Sequence, residues 1–131
     1  MEELRASGPL PEPPQSPEQA RDFSDGMTCF HHRDYWSAHE RWEETWRRMG
    51  NTPQDDGEIV LRGLIQLAAA LHAGSRGRRS AAVRNLAKAR EKLGLCQGGF
   101  WGVDIGALCH RLDAAAGDAA ALAGLVLPKK W

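Results

Sequence analysis

The chain has 131 residues, which is the length of a single domain. Its 17 basic and 17 acidic residues give a formal net charge of zero, which argues against a broad phosphate-binding surface and so against nucleic acid as a partner. No apolar run approaches the ~20 residues that cross a bilayer, so we expect no membrane span. Three cysteines without a CxxC pair indicate reduced thiols in a cytoplasmic protein: Cys29, Cys96 and Cys109.

The chain begins with a proline-rich stretch. Its composition predicts a disordered N-terminal leader over residues 1–16. Ser16 and Pro17 then have the residue types of a helix cap and a first helical position, so we predict a first helix over about 17–32.

The second and third helices follow from capping and apolar patterning. Asp34 can cap a second helix that runs to about Met49, with Gly50 as its stop. The third helix, beginning near Ile59, is apolar on most sides, and we expect it to be the central, buried helix.

A fourth helix is predicted after a cap at Ser80, and Gly94 follows its end. Four apolar residues are expected on its inner face: Val83, Leu86, Ala87 and Leu93.

The remaining chain predicts one more full helix. Residues 98–102 form an aromatic turn, Asp104 caps a fifth helix, and a short sixth segment ends near Leu125. No segment alternates apolar and polar residues for long, so we expect no sheet. The fold class is therefore all-α, a compact bundle of about five helices over residues 17–126 with a tail over 127–131.

The second helix carries the strongest functional signal. Three tryptophans, a histidine and three acids lie within the twelve residues 35–46. His39 and Glu43 are four positions apart and can touch, and a buried carboxylate must be paired or protonated. We expect the second and third helices to pack antiparallel and to hold four polar residues between them: His39, Glu43, Gln66 and His72.

Three functions fit these residues. In a ligand-binding or acid/base pocket, Glu43 is the base, His39 its partner, and Gln66 and His72 orient the substrate. In a scaffold or interaction module, the same cluster only fixes helix packing. A metal-dependent hydrolase-like site would recruit His72 as third ligand. The spacing lacks the second histidine of a zincin and the two Glu-x-x-His elements of a di-iron bundle, and we predict neither metal nor cofactor. The pocket's other candidate ligand-binding residues are Tyr35, Trp36, Glu40, Trp42 and Trp46.

Two surface features are also informative. The basic run over 76–79 is interpreted as a solvated loop, with contact to phosphate or another anion as the alternative. Tryptophans left exposed around the bundle would suggest a homodimer.

Two blocks of the sequence resemble a known family. The first is Phe30-x4-Tyr35-Trp36-x-Ala38-His39-Glu40-x-Trp42-Glu43-x2-Trp46, and the second is RGLIQLAAALH over residues 62–72. They resemble the family catalogued as domain of unknown function number 309, over about residues 20–115. The resemblance implies a compact all-α bundle of about five helices and no established reaction. The chain departs from the family pattern at 31–34 and 75–79.

Gly63 lies inside the apolar third helix, where glycine costs about 1 kcal/mol relative to alanine. This is tolerable if another helix approaches closely, and the tryptophan-bearing second helix is the expected neighbour. Gly63→Ala is therefore expected to destabilise the fold.

Overall fold

The computed structural model describes residues 17–48, 56–96 and 99–129. These residues form an all-α bundle, as predicted, with a small two-stranded sheet. The predicted leader over 1–16 and the predicted stop at Gly50 lie outside the described residues. In chain order the elements are α1 (Pro17–His31), α2 (Tyr35–Arg48), α3 (Asp56–Ser75), α4 (Arg79–Leu93), β1 (Gly99–Phe100), β2 (Val103–Asp104), α5 (Ile105–Ala115) and a 3₁₀ helix (Ala119–Leu122).

Side-chain caps begin α2 and α5, as the sequence predicts. A carboxylate oxygen of Asp34 accepts a hydrogen bond from the backbone N–H of Ser37 at 3.3 Å, and Asp104 accepts one from Ala107 at 3.0 Å. The predicted cap at Ser80 is wrong. Helix α4 begins at Arg79, so Ser80 lies within the first turn, and the capping position is Arg78, whose side chain makes no capping hydrogen bond.

Helix α3 is the centre of the bundle, packed between α2 and α4, while α1 covers the other side of α2. Its apolar side chains are fully buried on several sides. The buried stripe of α4 consists of Ala82, Leu86, Ala89 and Leu93. The prediction that Val83 and Ala87 face inward is wrong: both are exposed, because the 3.6-residue period that includes Leu86 and Leu93 passes through positions 82 and 89 instead.

An aromatic cluster joins α1, α2 and the hairpin. Trp42 is fully buried, and its indole N–H donates to the carbonyl of Phe23 at 3.2 Å. Its ring stacks against Phe23 and Phe30, with centroids 6.1 and 5.7 Å away. Phe23 in turn meets the edge of Trp101 at 4.8 Å. This cluster fixes α1 against α2.

The prediction of no sheet is wrong, because β1 and β2 pair in an antiparallel hairpin. Trp101 and Gly102 connect them, both with positive φ (47° and 81°), as a two-residue type I′ turn requires. Each strand has two residues, which is too short for alternation to show in the sequence.

The segment 127–129, which the sequence analysis assigns to a tail, packs against this hairpin. Leu127 is buried, and the carbonyl of Pro128 accepts a hydrogen bond from the N–H of Asp104 at 2.8 Å. Lys129 forms an isolated antiparallel β-bridge with Val103. The backbone N–H of Leu127 donates to Nε2 of His31 at 3.1 Å. The segment is thereby joined to the end of α1.

Two glycines allow close packing between helices. A Cβ at Gly63 would lie 2.9 Å from Cγ of Leu93, so its close neighbour is α4 and the expectation that it faces the tryptophan helix is wrong. The expected destabilisation by Gly63→Ala keeps its direction, with Leu93 as the obstacle. The glycine that makes room for a tryptophan is Gly26 of α1, where a Cβ would overlap the Trp42 indole.

We expect Gly26→Ala to lower the free energy of unfolding by about 1–3 kcal/mol, because the added methyl group displaces the fully buried Trp42 ring. The matched control is Gly106→Ala in α5, where a Cβ would find its nearest atom at 3.6 Å. Chemical denaturation measures both. Equal stability of the two variants would contradict the assigned contact.

The hydrogen bond to Leu127 requires an unprotonated Nε2 on His31. Burial, followed by the charges of Lys129 and His32, lowers the pKa of His31 from its usual 6.5. The stability that His31 contributes is therefore complete above about pH 6.5 and is lost as the pH falls through the folded-state pKa. We expect His31→Gln to flatten the decline in melting temperature between about pH 7 and about pH 5. A parallel decline in wild type and variant would contradict this role.

Candidate functional site

Contacts at two ends define the seam between α2 and α3. At one end the indole N–H of Trp46 donates to Oε1 of Glu58 at 2.9 Å. At the other end the rings of Trp36 and His72 lie 5.2 Å apart. Because late residues of α2 meet early residues of α3, the two helices are antiparallel.

The His39–Glu43 pair forms on the surface of this seam. Nδ1 of His39 lies 3.4 Å from Oε1 of Glu43, without hydrogen-bond geometry, and the two side chains are 17% and 34% exposed. The His39 ring stacks on Trp36 at 5.0 Å with an interplanar angle of 9°. Glu43 is therefore a partly solvated carboxylate, and His39 supports the Trp36 ring.

The buried carboxylate at the seam is Glu58, which the sequence analysis did not single out. It is 2% exposed, and its Oε1 accepts from Trp46 and, at 3.2 Å, from Arg62. Its Oε2 is buried without a hydrogen-bond partner among the described residues. The available signal was its position: Glu58 and Arg62 are four residues apart at the start of an otherwise apolar helix.

An open cleft of about 560 Å³ lies between the start of α2 and the end of α3. We call it the Trp36 cleft. Its lining residues are Arg33, Asp34, Tyr35, Trp36, His72, Ser75, Arg76 and Arg78. The structure thus brings together three of the predicted ligand-binding residues, and it adds arginines that the sequence analysis placed in a solvated loop or a turn.

The other predicted site residues lie elsewhere. Glu40 and Glu43 line a second cleft of about 380 Å³, beside Cys29 and Arg47. Trp42 is in the aromatic core, and Trp46 binds Glu58. Gln66 is half-buried on α3, with its Oε1 unpartnered in the part of the chain that the structure describes. Neither His39 nor Gln66 lines either of these two clefts.

His72 is the histidine of the Trp36 cleft. Burial lowers its pKa below the usual value, and the nearby charges of Arg76 and Arg78 lower it further. Its imidazole is therefore neutral at about pH 7, which is the form that accepts a proton. Over residues 17–48, 56–96 and 99–129, no group of three or more histidine, cysteine or acidic side chains could hold a metal ion.

Trp46, Glu58 and Arg62 form a hydrogen-bonded group that we call the Glu58 cluster, and Trp46→Phe tests it. The substitution removes the indole N–H that donates to a buried carboxylate oxygen, so we expect the free energy of unfolding to fall by about 1.5–3 kcal/mol. Trp36→Phe is the matched control on the same helix, at a position that is 47% exposed, and should change it by about 0.5 kcal/mol or less. Chemical denaturation measures both, and equal losses would show that the indole donor of Trp46 contributes nothing specific.

Comparison with known proteins finds a family model that matches the part of the chain containing this site. A family model described as Domain of unknown function (DUF309) matches residues 23–85. These residues contain both sequence blocks, the Glu58 cluster and the lining of the Trp36 cleft. A search of curated proteins found no match. No helix among the described residues is long and apolar enough to cross a membrane. Residues 23–85 of the chain therefore match the DUF309 family.

Proposed function

We propose that this domain binds a small ligand in the Trp36 cleft. The observation that carries the proposal is the meeting of an exposed tryptophan, a tyrosine and a neutral histidine in one open cleft. Its volume of about 560 Å³ falls within the range of small-molecule sites, about 300–1,000 Å³. Small-molecule sites combine aromatic side chains with polar groups that orient the ligand, and both kinds of side chain line this cleft.

Acid/base chemistry is the second candidate function, and we assign the base to His72. Glu43, the base predicted from the sequence, lines the other cleft. Asp34 also lines the Trp36 cleft, but one of its oxygens caps α2. A neutral imidazole accepts a proton near neutral pH, and the lowered pKa of His72 favours that form. In this proposal, His39 is a positioning residue that acts through its stacking on Trp36.

The competing proposal is a non-catalytic scaffold or interaction module, with a homodimer formed through the exposed Trp36. We further propose that the protein works in the cytoplasm. Cys29 and Cys109 are free thiols, and burial raises the pKa of both, which keeps them protonated and unreactive.

An NMR screen of small polar metabolites against the full chain tests ligand binding. We expect hits to shift the indole N–H signal of Trp36 and the ring signals of His72. Trp36→Ala and His72→Gln should each weaken a hit by about tenfold or more, because each removes a cleft-lining contact.

The matched control is His110→Gln, which changes an exposed histidine of α5 and should leave affinity unchanged. Hits that shift only residues outside the cleft would contradict the proposal. A screen without hits, together with a dimer that Trp36→Ala dissociates, would favour the interaction module.

A further inference from the structure

We infer that the Trp36 cleft recognises its ligand through a negatively charged oxyanion group, such as the phosphate of a small phosphorylated molecule. This inference rests on the proposed ligand-binding function and names the chemistry of the ligand. It starts from the charges that line the cleft: three arginines, Arg33, Arg76 and Arg78, against one acid, Asp34.

The three arginines are available to a ligand. Four other arginines of the described chain are held in ion pairs with carboxylates: Arg47, Arg48, Arg62 and Arg90. Within residues 17–48, 56–96 and 99–129, no such ion pair forms to Arg33, Arg76 or Arg78. The one acid of the cleft, Asp34, uses an oxygen to cap α2.

This charge is local. The whole chain has a formal net charge of zero, yet one cleft collects three positive charges and one negative charge. A zero net charge excludes a broad phosphate-binding surface, but it is compatible with a single site for one oxyanion. Guanidinium groups suit that role because their planar N–H donors match the oxygens of phosphate or carboxylate in pairs.

The backbone holds Arg33 at the cleft. Arg33 itself has a positive φ of 63° in the turn between α1 and α2. Its guanidinium lies against Gly124, where a Cβ would be 2.5 Å from Nη2 of Arg33. The N–H of Gly124 also donates to the hydroxyl of Tyr35 at 3.2 Å. Any side chain at position 124 would push this guanidinium away.

The turn after α3 carries the other two arginines. The N–H of Arg76 donates to the carbonyl of His72 at 3.2 Å, and the N–H of Arg78 donates to that of Ala73 at 2.9 Å. Gly77, with a φ of +73°, lies between them and lets the chain turn. The turn is thus closed onto the last turn of α3, which also carries His72.

His72 reports on the charge of the cleft. The groups that affect its ionisation are Arg76, Arg78 and His39, which lower its pKa, and Asp34, which raises it. An oxyanion bound by the arginines offsets their effect and adds a negative charge. The pKa of His72 should therefore rise on binding, and by linkage affinity should increase as the pH falls through that pKa.

The test uses the full chain and four probes: inorganic phosphate, pyrophosphate, phenyl phosphate and, as its uncharged counterpart, phenol. NMR signals of Trp36 and His72 follow each titration. We expect the phosphate-bearing probes to bind and phenol not to bind. Comparing inorganic phosphate with phenyl phosphate distinguishes a site for the free ion from one for a phosphate ester.

Arginine variants then locate the site. Arg76→Gln and Arg78→Gln should each weaken phosphate-probe binding by about tenfold or more. Arg79→Gln is the matched control, because Arg79 follows directly in the chain and does not line the cleft, and it should have less than about a twofold effect. The pKa of His72 should rise with phosphate in the wild type and rise less in the Arg76 and Arg78 variants.

Equal weakening by all three substitutions would overturn the inference, because it would indicate general electrostatic attraction. Failure of every phosphate probe to shift Trp36 and His72 would also overturn it. If phenol, or a neutral hit from the metabolite screen, binds the cleft and the arginine variants do not weaken it, the anion inference fails while the proposed ligand-binding function stands.

Discussion

The fold depends on one constraint: α3 is apolar on most of its circumference and must be covered on several sides at once. Helices α2 and α4 cover two sides, and the 3₁₀ helix adds to the cover. The half-buried polar side chains of α3 are Arg62, Gln66 and His72. Of these, His72 lines the Trp36 cleft, so the candidate site lies where the end of this buried helix meets the start of α2.

Features that depend on neighbours in the chain could be predicted from the sequence. The caps at Asp34 and Asp104, the buried α3 and the contact between His39 and Glu43 each follow from spacing within one helix. The start and the inner face of α4 were both mistaken. The cap predicted at Ser80 is two positions after the actual capping position, Arg78, and the buried stripe repeats through Ala82 and Ala89 instead of Val83 and Ala87.

Several features that depend on contacts between distant residues were not predicted. The spacing of Glu58 and Arg62 predicts a pair on one helix, but it does not predict that Trp46 of α2 packs onto Glu58 and donates a hydrogen bond to it. The Arg33 side chain meets Gly124, 91 positions along the chain, only in the folded state. In the sequence, Arg76 and Arg78 look like residues of a solvated loop. Only the fold shows that the turn that carries them lines the same cleft as Trp36. Conversely, Trp42 belongs to the same sequence motif as the site residues but is fully buried in the hydrophobic core.

The packing of the C-terminal segment bears on where the folding unit ends. The family match stops at residue 85, within α4. A fragment ending there would lack Leu86 and Leu93, which cover α3, and the hairpin whose Trp101 meets Phe23. It would also lack Leu127 and Gly124, which contact the turn between α1 and α2. The segment that matches the family is therefore shorter than the packed unit, and residues 86–96 and 99–129 complete the packing around it.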